Sequence, residues 1–193
     1  MVTVVVCGIL ESEIRKVAQK LEIPLNIVIM PTKLHVYPLK LKKELEDQLK
    51  TIKDQVVVVY GECFPGIDDT CEKYSAVRIQ GENCYEIMAG DRFYQLLKEE
   101  PGTYFLLPHL CEKFEELTKE ILLKEMKGIF FRNYKQCVLL DTGTVHSKKC
   151  SRIAEDLGLF YFREFVGTAI LEERLRKALN TIEKGRNENK NES

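Results

Sequence analysis

The chain has 193 residues, with 29 Lys and Arg against 30 Asp and Glu, for a formal net charge of -1. That balance gives no bulk electrostatic case for nucleic acid or an anionic membrane, and no apolar run approaches the roughly 20 residues needed to span a bilayer. The size allows a full core without disulfide staples, and the N-terminus lacks a signal peptide's basic flank and cleavage site, so a cytoplasmic protein is expected.

Val2 to Val6 is a continuous β-branched run, and Glu11 to Leu21 places Ile14, Val17, Ala18 and Leu21 on one helical face. Asn26 to Met30 is a second strand, stopped by Pro31, and Leu39 to Ile52 a second amphipathic helix. Val56 to Tyr60 is the strongest strand signal, followed by a short helix from Ile67 to Tyr74 and a strand from Ala76 to Ile79. One helix is expected from Tyr85 to Glu99, broken by Pro101-Gly102, then a strand from Thr103 to Leu107 and a helix from Cys111 to Met126. Cys137 to Leu140, Ser147 to Leu157, Leu159 to Phe165 and Ala169 to Ile182 complete the alternation as strand, helix, strand and helix. The polar stretch 183–193 reads as a disordered tail.

Short strands alternating with helices are the signature of βαβ crossovers. The expectation is a single α/β domain over residues 1–182, a Rossmann-like three-layer α/β/α arrangement with a mainly parallel sheet. An arrangement of two smaller sheets, split near Lys124 to Lys135, is the alternative.

In an open parallel sheet ligands bind at the carboxyl ends of the strands. Cys7-Gly8, Gly61-Glu62-Cys63, Asn83-Cys84, Pro108-His109 and Asp141-Thr142-Gly143 all follow expected strands. Cys7, Cys63 and Cys84 are candidate thiolate ligands for zinc, an iron–sulfur centre or cobalt, with His109 as the fourth. The competing reading is that each cysteine is a small inert core residue. Gly8, Gly61, Glu62, Asn83, Asp141, Thr142 and Gly143 are candidate ligand-binding positions, the last three as an anion cradle with Thr144 before a helix. His146 and Cys150, four residues apart, read as an exposed helix start, and His35 in a Lys-rich loop carries no argument of its own. Seven cysteines, an odd number, without an export signal argue for reduced thiols. GxGxxG, P-loop, GxSxG, CxxC and HExxH patterns are all absent, which removes the standard dinucleotide, nucleotide, hydrolase and local zinc readings.

Cys7-Gly8 with Leu10 and Glu13, Tyr60-Gly61-Glu62-Cys63, Asn83-Cys84 with Gly90 and Tyr94, Pro101-Gly102-Thr103-Tyr104-Phe105 and Leu140-Asp141-Thr142-Gly143 resemble, in order and spacing, the motifs of the DUF1638 family. This is a domain of unknown function found mainly in methanogenic archaea and anaerobic bacteria. The chain departs from the family pattern at Glu82-Asn83 and His109-Leu110, beside the cysteines and not at them. The resemblance implies anaerobic one-carbon metabolism, with a corrinoid protein or methyltransferase as partner. The leading expectation is a cysteine-ligated metal-binding accessory protein or enzyme. Beside it stand a small-ligand or corrinoid-binding module and a non-catalytic interaction partner.

Overall fold

The computed structural model of the protein describes residues 1–121, 127–143 and 148–191. Among these residues seven strands form two all-parallel sheets. The first comprises β1 (Val2–Cys7), β2 (Leu25–Met30), β3 (Gln55–Val59) and β4 (Ala76–Arg78), in the order β2-β1-β3-β4. The second comprises β5 (Thr103–Leu106), β6 (Gln136–Asp141) and β7 (Phe160–Phe165), in chain order.

The β-branched runs go to the centre of the first sheet. Val4 to Val6 and Val57 to Val59 are fully buried, as expected of parallel strands covered on both faces. Register is direct, with Val4 opposite Ile27 on one side and Val57 on the other. The chain passes from β1 outward to β2, then back across β1 to β3. Right-handed crossovers in opposite directions place α1 (Glu11–Leu21) and α2 (Pro38–Thr51) on opposite faces, giving the three layers. The reversal also makes the gap beyond the ends of β1 and β3 a topological switch point, where an α/β sheet forms its crevice.

The boundary between sheets falls between β4 and β5, ahead of the Lys124 to Lys135 region, and one buried apolar cluster runs through both sheets. The helix expected from Tyr85 to Glu99 is two, α4 (Cys84–Ala89) and α5 (Asp91–Glu99). They divide at Gly90, whose φ of +54° lies in the left-handed region. A side chain there would also come within 3.0 Å of Ile170. The short helix α3 (Ile67–Lys73) precedes β4, and α6 (Pro108–Ile121) follows β5. A short helix without a sequence signal, α7 (Lys127–Phe131), precedes β6, and α8 (Lys148–Asp156) follows it. His146 and Thr144 lie outside the described residues.

The last helix, α9 (Ala169–Asn191), leaves the second sheet and returns to the first, packing on α1, α4, β3 and β4. Leu171, Leu175, Ala178, Leu179 and Ile182 form its buried stripe. The helix continues through residues 183–191, the stretch read from sequence as a disordered tail. Once nucleated on a packed face, helix propagates at little cost per residue.

Cys111 and Cys150 form a disulfide between α6 and α8, where all seven cysteines were expected to be free. The two helices lie side by side and their Cα atoms at these positions are 5.2 Å apart, within bridging distance. Cys150, expected at an exposed helix start, is buried.

Candidate functional site

Beyond the switch point lies a cavity of about 60 Å³ lined by Cys7, Cys63 and Cys84. The three cysteines arrive on three different segments. Cys7 ends β1, and a 3-10 turn, Gly8–Leu10, follows it. Cys63 lies in the loop after β3, and Cys84 opens α4 after the β4 loop. Leu10, His35, Val59, Tyr60 and Tyr85 also line it, and its wall is almost entirely apolar.

Two glycines let these segments meet. A Cβ at Gly61 would lie 2.5 Å from the Asn83 Cα and 2.6 Å from the Glu82 carbonyl oxygen, so only glycine admits the Cys84 loop against the end of β3. A Cβ at Gly8 would lie 2.5 Å from Thr32 Oγ1, so the 3-10 turn Thr32–Val36 closes over the end of β1 only because residue 8 has no side chain. The Glu62 N–H donates to the Glu82 carbonyl at 2.7 Å. The Arg78 guanidinium donates to the Tyr60 and Gly81 carbonyls at 3.1 and 2.8 Å, tying together the loops that carry Cys63 and Cys84. Asn83 caps α4, its Oδ1 accepting from the Tyr85 and Glu86 N–H groups. Behind the loop, Arg174 of α9 pairs with the buried carboxylate of Glu86 and donates to the Gln80 carbonyl.

Burial governs the electrostatics. It pushes the Cys7 thiol up to about 12, opposed by the Ile9 N–H and reinforced by Cys63. Burial likewise raises Cys84 well above the ordinary thiol value, with Cys7 and Cys63 adding to the effect. Cys63 is raised by burial, with the Gly61 N–H and the Arg78 guanidinium opposing. All three are therefore neutral thiols at pH 7. This is the reverse of an activated nucleophile, which needs a depressed pKa.

The Tyr60 hydroxyl is buried in the same place, with only 1% of the residue exposed. It lies against Cys7, whose thiolate it favours. Desolvation lowers the pKa of His35, so its imidazole is neutral at pH 7. Among the described residues no group of three or more His, Cys, Asp or Glu side chains is placed to hold a metal ion. The cysteines and His35 line one space without converging on a point.

The other expected positions fall elsewhere. His109 sits in the first turn of α6, partly exposed, and does not line the cavity. Glu62 points to solvent. Asp141, Thr142 and Gly143 close the end of β6, in the second sheet, and their polar groups meet protein partners. The Asp141 carboxylate pairs with Arg163 and accepts from the Gly143 N–H at 2.9 Å. The Thr142 hydroxyl donates to the buried carboxylate of Glu13 at 2.7 Å, joining α1 to the end of β6. His35 and Tyr60 are the additions that sequence reasoning missed. The available signal for His35 was its place five residues beyond the end of β2, on the same rim as Cys7.

Comparisons with curated proteins and with solved structures return no match. A family model, described as a protein of unknown function, matches residues 29–175, which include Cys63, Cys84 and Asp141 but begin after Cys7 and Gly8. The chain, matched over most of its length, belongs to the DUF1638 family.

Proposed function

We propose that the protein binds one soft or borderline metal ion, of the zinc, cobalt or iron class, through Cys7, Cys63 and Cys84. The observation that carries this reading is that three thiols, brought by three separate segments, line one small cavity at a topological switch point; binding requires their side chains to turn inward onto the ion. Sulfur donors favour such ions over magnesium or calcium, and the cavity lining contains no carboxylate. The raised thiol pKa values count against an activated nucleophile in the metal-free protein, and a bound cation has to displace the protons that burial retains.

The size of the cavity also separates the partner readings. About 60 Å³ holds an ion with one or two small ligands, far below the hundreds of Å³ of an organic cofactor site. On this reading a corrinoid is brought by a partner protein, in the cytoplasmic one-carbon setting that the family resemblance implies. The protein is then an accessory metal carrier or the metal-holding component of a methyltransferase system.

The test is elemental analysis of protein purified without oxygen, beside Cys7→Ser, Cys63→Ser and Cys84→Ser. About one ion per chain is expected, lost in each variant. Retention of the ion by all three variants, or no uptake of added cobalt(II) or zinc by the parent protein, refutes the proposal.

A further inference from the structure

The bridge between α6 and α8 joins Cys111 to Cys150, while Cys7, Cys63, Cys71, Cys84 and Cys137 are free thiols. Its two halves do not share one environment. Cys111 lines a hollow of about 520 Å³ between the two helices, and Cys150 is not among the described residues that line it. Phe114, Ile153 and Leu157 give the hollow an apolar wall, and Glu115 and Lys119 bring polar groups to it. Both bridged residues are buried, Cys111 at 4% and Cys150 at 1% exposed, so the hollow and not the outer surface is the way in. Its volume falls within the roughly 300–1,000 Å³ of small-molecule sites. A low-molecular-weight thiol fits there, and a folded dithiol protein does not.

We infer that this bridge is exchange-active and that a small thiol entering the hollow opens it at Cys111. Exchange proceeds by attack of a thiolate on one sulfur, with the other sulfur leaving, and which sulfur is attacked follows from access. Here the incoming thiolate forms a bond to the Cys111 Sγ, the Sγ–Sγ bond breaks, and the electron pair leaves on the Cys150 Sγ, which takes a proton from water. A second small thiolate then attacks the sulfur of the first, and Cys111 departs as a thiolate that is protonated in turn. In sum two small thiols become their disulfide, and the bridge gains two electrons and two protons. Opening removes the only covalent tie between α6 and α8, leaving the Lys149–Glu112 ion pair and apolar packing to hold them.

The test treats the bridged full-length protein with reduced glutathione, quenches it in acid, alkylates the free thiols and maps the peptides by mass spectrometry. Glutathione is expected on Cys111 with Cys150 alkylated, formed in the folded protein faster than the chain unfolds in urea experiments extrapolated to water. In Cys150→Ala and Cys111→Ala, each leaving one thiol of the pair, oxidised glutathione is expected to modify Cys111 at least about 10-fold faster than Cys150. Glu115 lies one helical turn beyond Cys111 on the wall of the hollow. Glu115→Trp, which fills the hollow, is expected to slow the opening severalfold. Lys113→Trp, on the same helix but away from the hollow, is expected to match the parent. Glutathione found chiefly on Cys150, equal modification of the two single thiols, or opening only at the rate of global unfolding overturns the inference. Opening of Glu115→Trp at the parent rate, or no bridge in protein isolated under air, also overturns it.

Discussion

Replacing Gly61 with Ala should disrupt the site without touching a cysteine. The added Cβ would lie 2.5 Å from the Asn83 Cα, 2.6 Å from the Glu82 carbonyl oxygen and 2.7 Å from the Asn83 nitrogen. All three are backbone atoms, so no side chain can rotate away. Restoring ordinary contact requires the Gly81–Cys84 loop to retreat by about 1 Å. Overpacking of this kind costs about 1–3 kcal/mol, and loss of the Glu62 to Glu82 hydrogen bond adds about 1 kcal/mol. A total near 3 kcal/mol lowers the melting temperature of a chain this size by roughly 10 °C. Cys84 retreats with the loop, so cobalt(II) affinity should fall together with stability. The contrasting variant is Gly185→Ala, where a Cβ meets nothing within 4 Å and helix propensity favours Ala by up to about 1 kcal/mol. Thermal and urea unfolding of both variants, with a cobalt titration of each, completes the comparison. A Gly61→Ala protein as stable and as metal-competent as its parent would refute the close-approach argument.

Two further outcomes follow from the electrostatics. Arg174→Ala strips the buried Glu86 carboxylate of its partner and should cost about 3 kcal/mol near neutral pH. The Arg174 hydrogen bond holds the Glu86 carboxyl below its ordinary value against opposing burial. The stabilisation is therefore present above the unfolded carboxyl value of about 4.3 and lost as pH falls through the folded one. Urea unfolding should show the gap between parent and variant closing below about pH 4, and a gap that persists there counts against the ion pair. Metal affinity should rise with pH from 6 to 8, with a logarithmic slope approaching one for each ligated thiol, because Cys7, Cys63 and Cys84 all hold protons in the metal-free protein. A titration series independent of pH would exclude thiolate ligation.

The strands were legible because their signals are local. Val2 to Val6 and Val56 to Val59 are β-branched runs that suit only covered parallel strands, and of the helical face expected over Glu11 to Leu21 the structure buries Ile14, Val17 and Leu21, with Ala18 half-buried and Glu13 buried beside them. Gly90 was harder to read, because the apolar period continues across it from Met88 to Leu96 while its backbone turns. That three cysteines line one cavity followed from the strand ends alone. The placement of His109 rested on a single shared rim, and β5 belongs to the second sheet, so that premise did not extend to it. His35 was passed over for the opposite reason. Its neighbours Lys33 and Tyr37 are exposed and its loop looked solvated, yet the glycine that draws the turn inward lies 27 positions earlier, at residue 8. Sheet partition and loop approach are long-range properties that no window of sequence contains.

The return of α9 bears on how the site matures during synthesis. Every residue lining the thiol cavity lies between positions 7 and 85, but Arg174, which grips the Cys84 segment through Gln80 and Glu86, is translated 88 residues after Glu86. At about 5–20 residues per second that interval is roughly 4–18 s. A nascent chain therefore has its three thiols made before the helix that locks their loops has emerged. If the cavity takes up an ion as proposed, its stable occupancy would belong to the chain that has already docked α9, and ion retention would report on completed folding as well as on cysteine content.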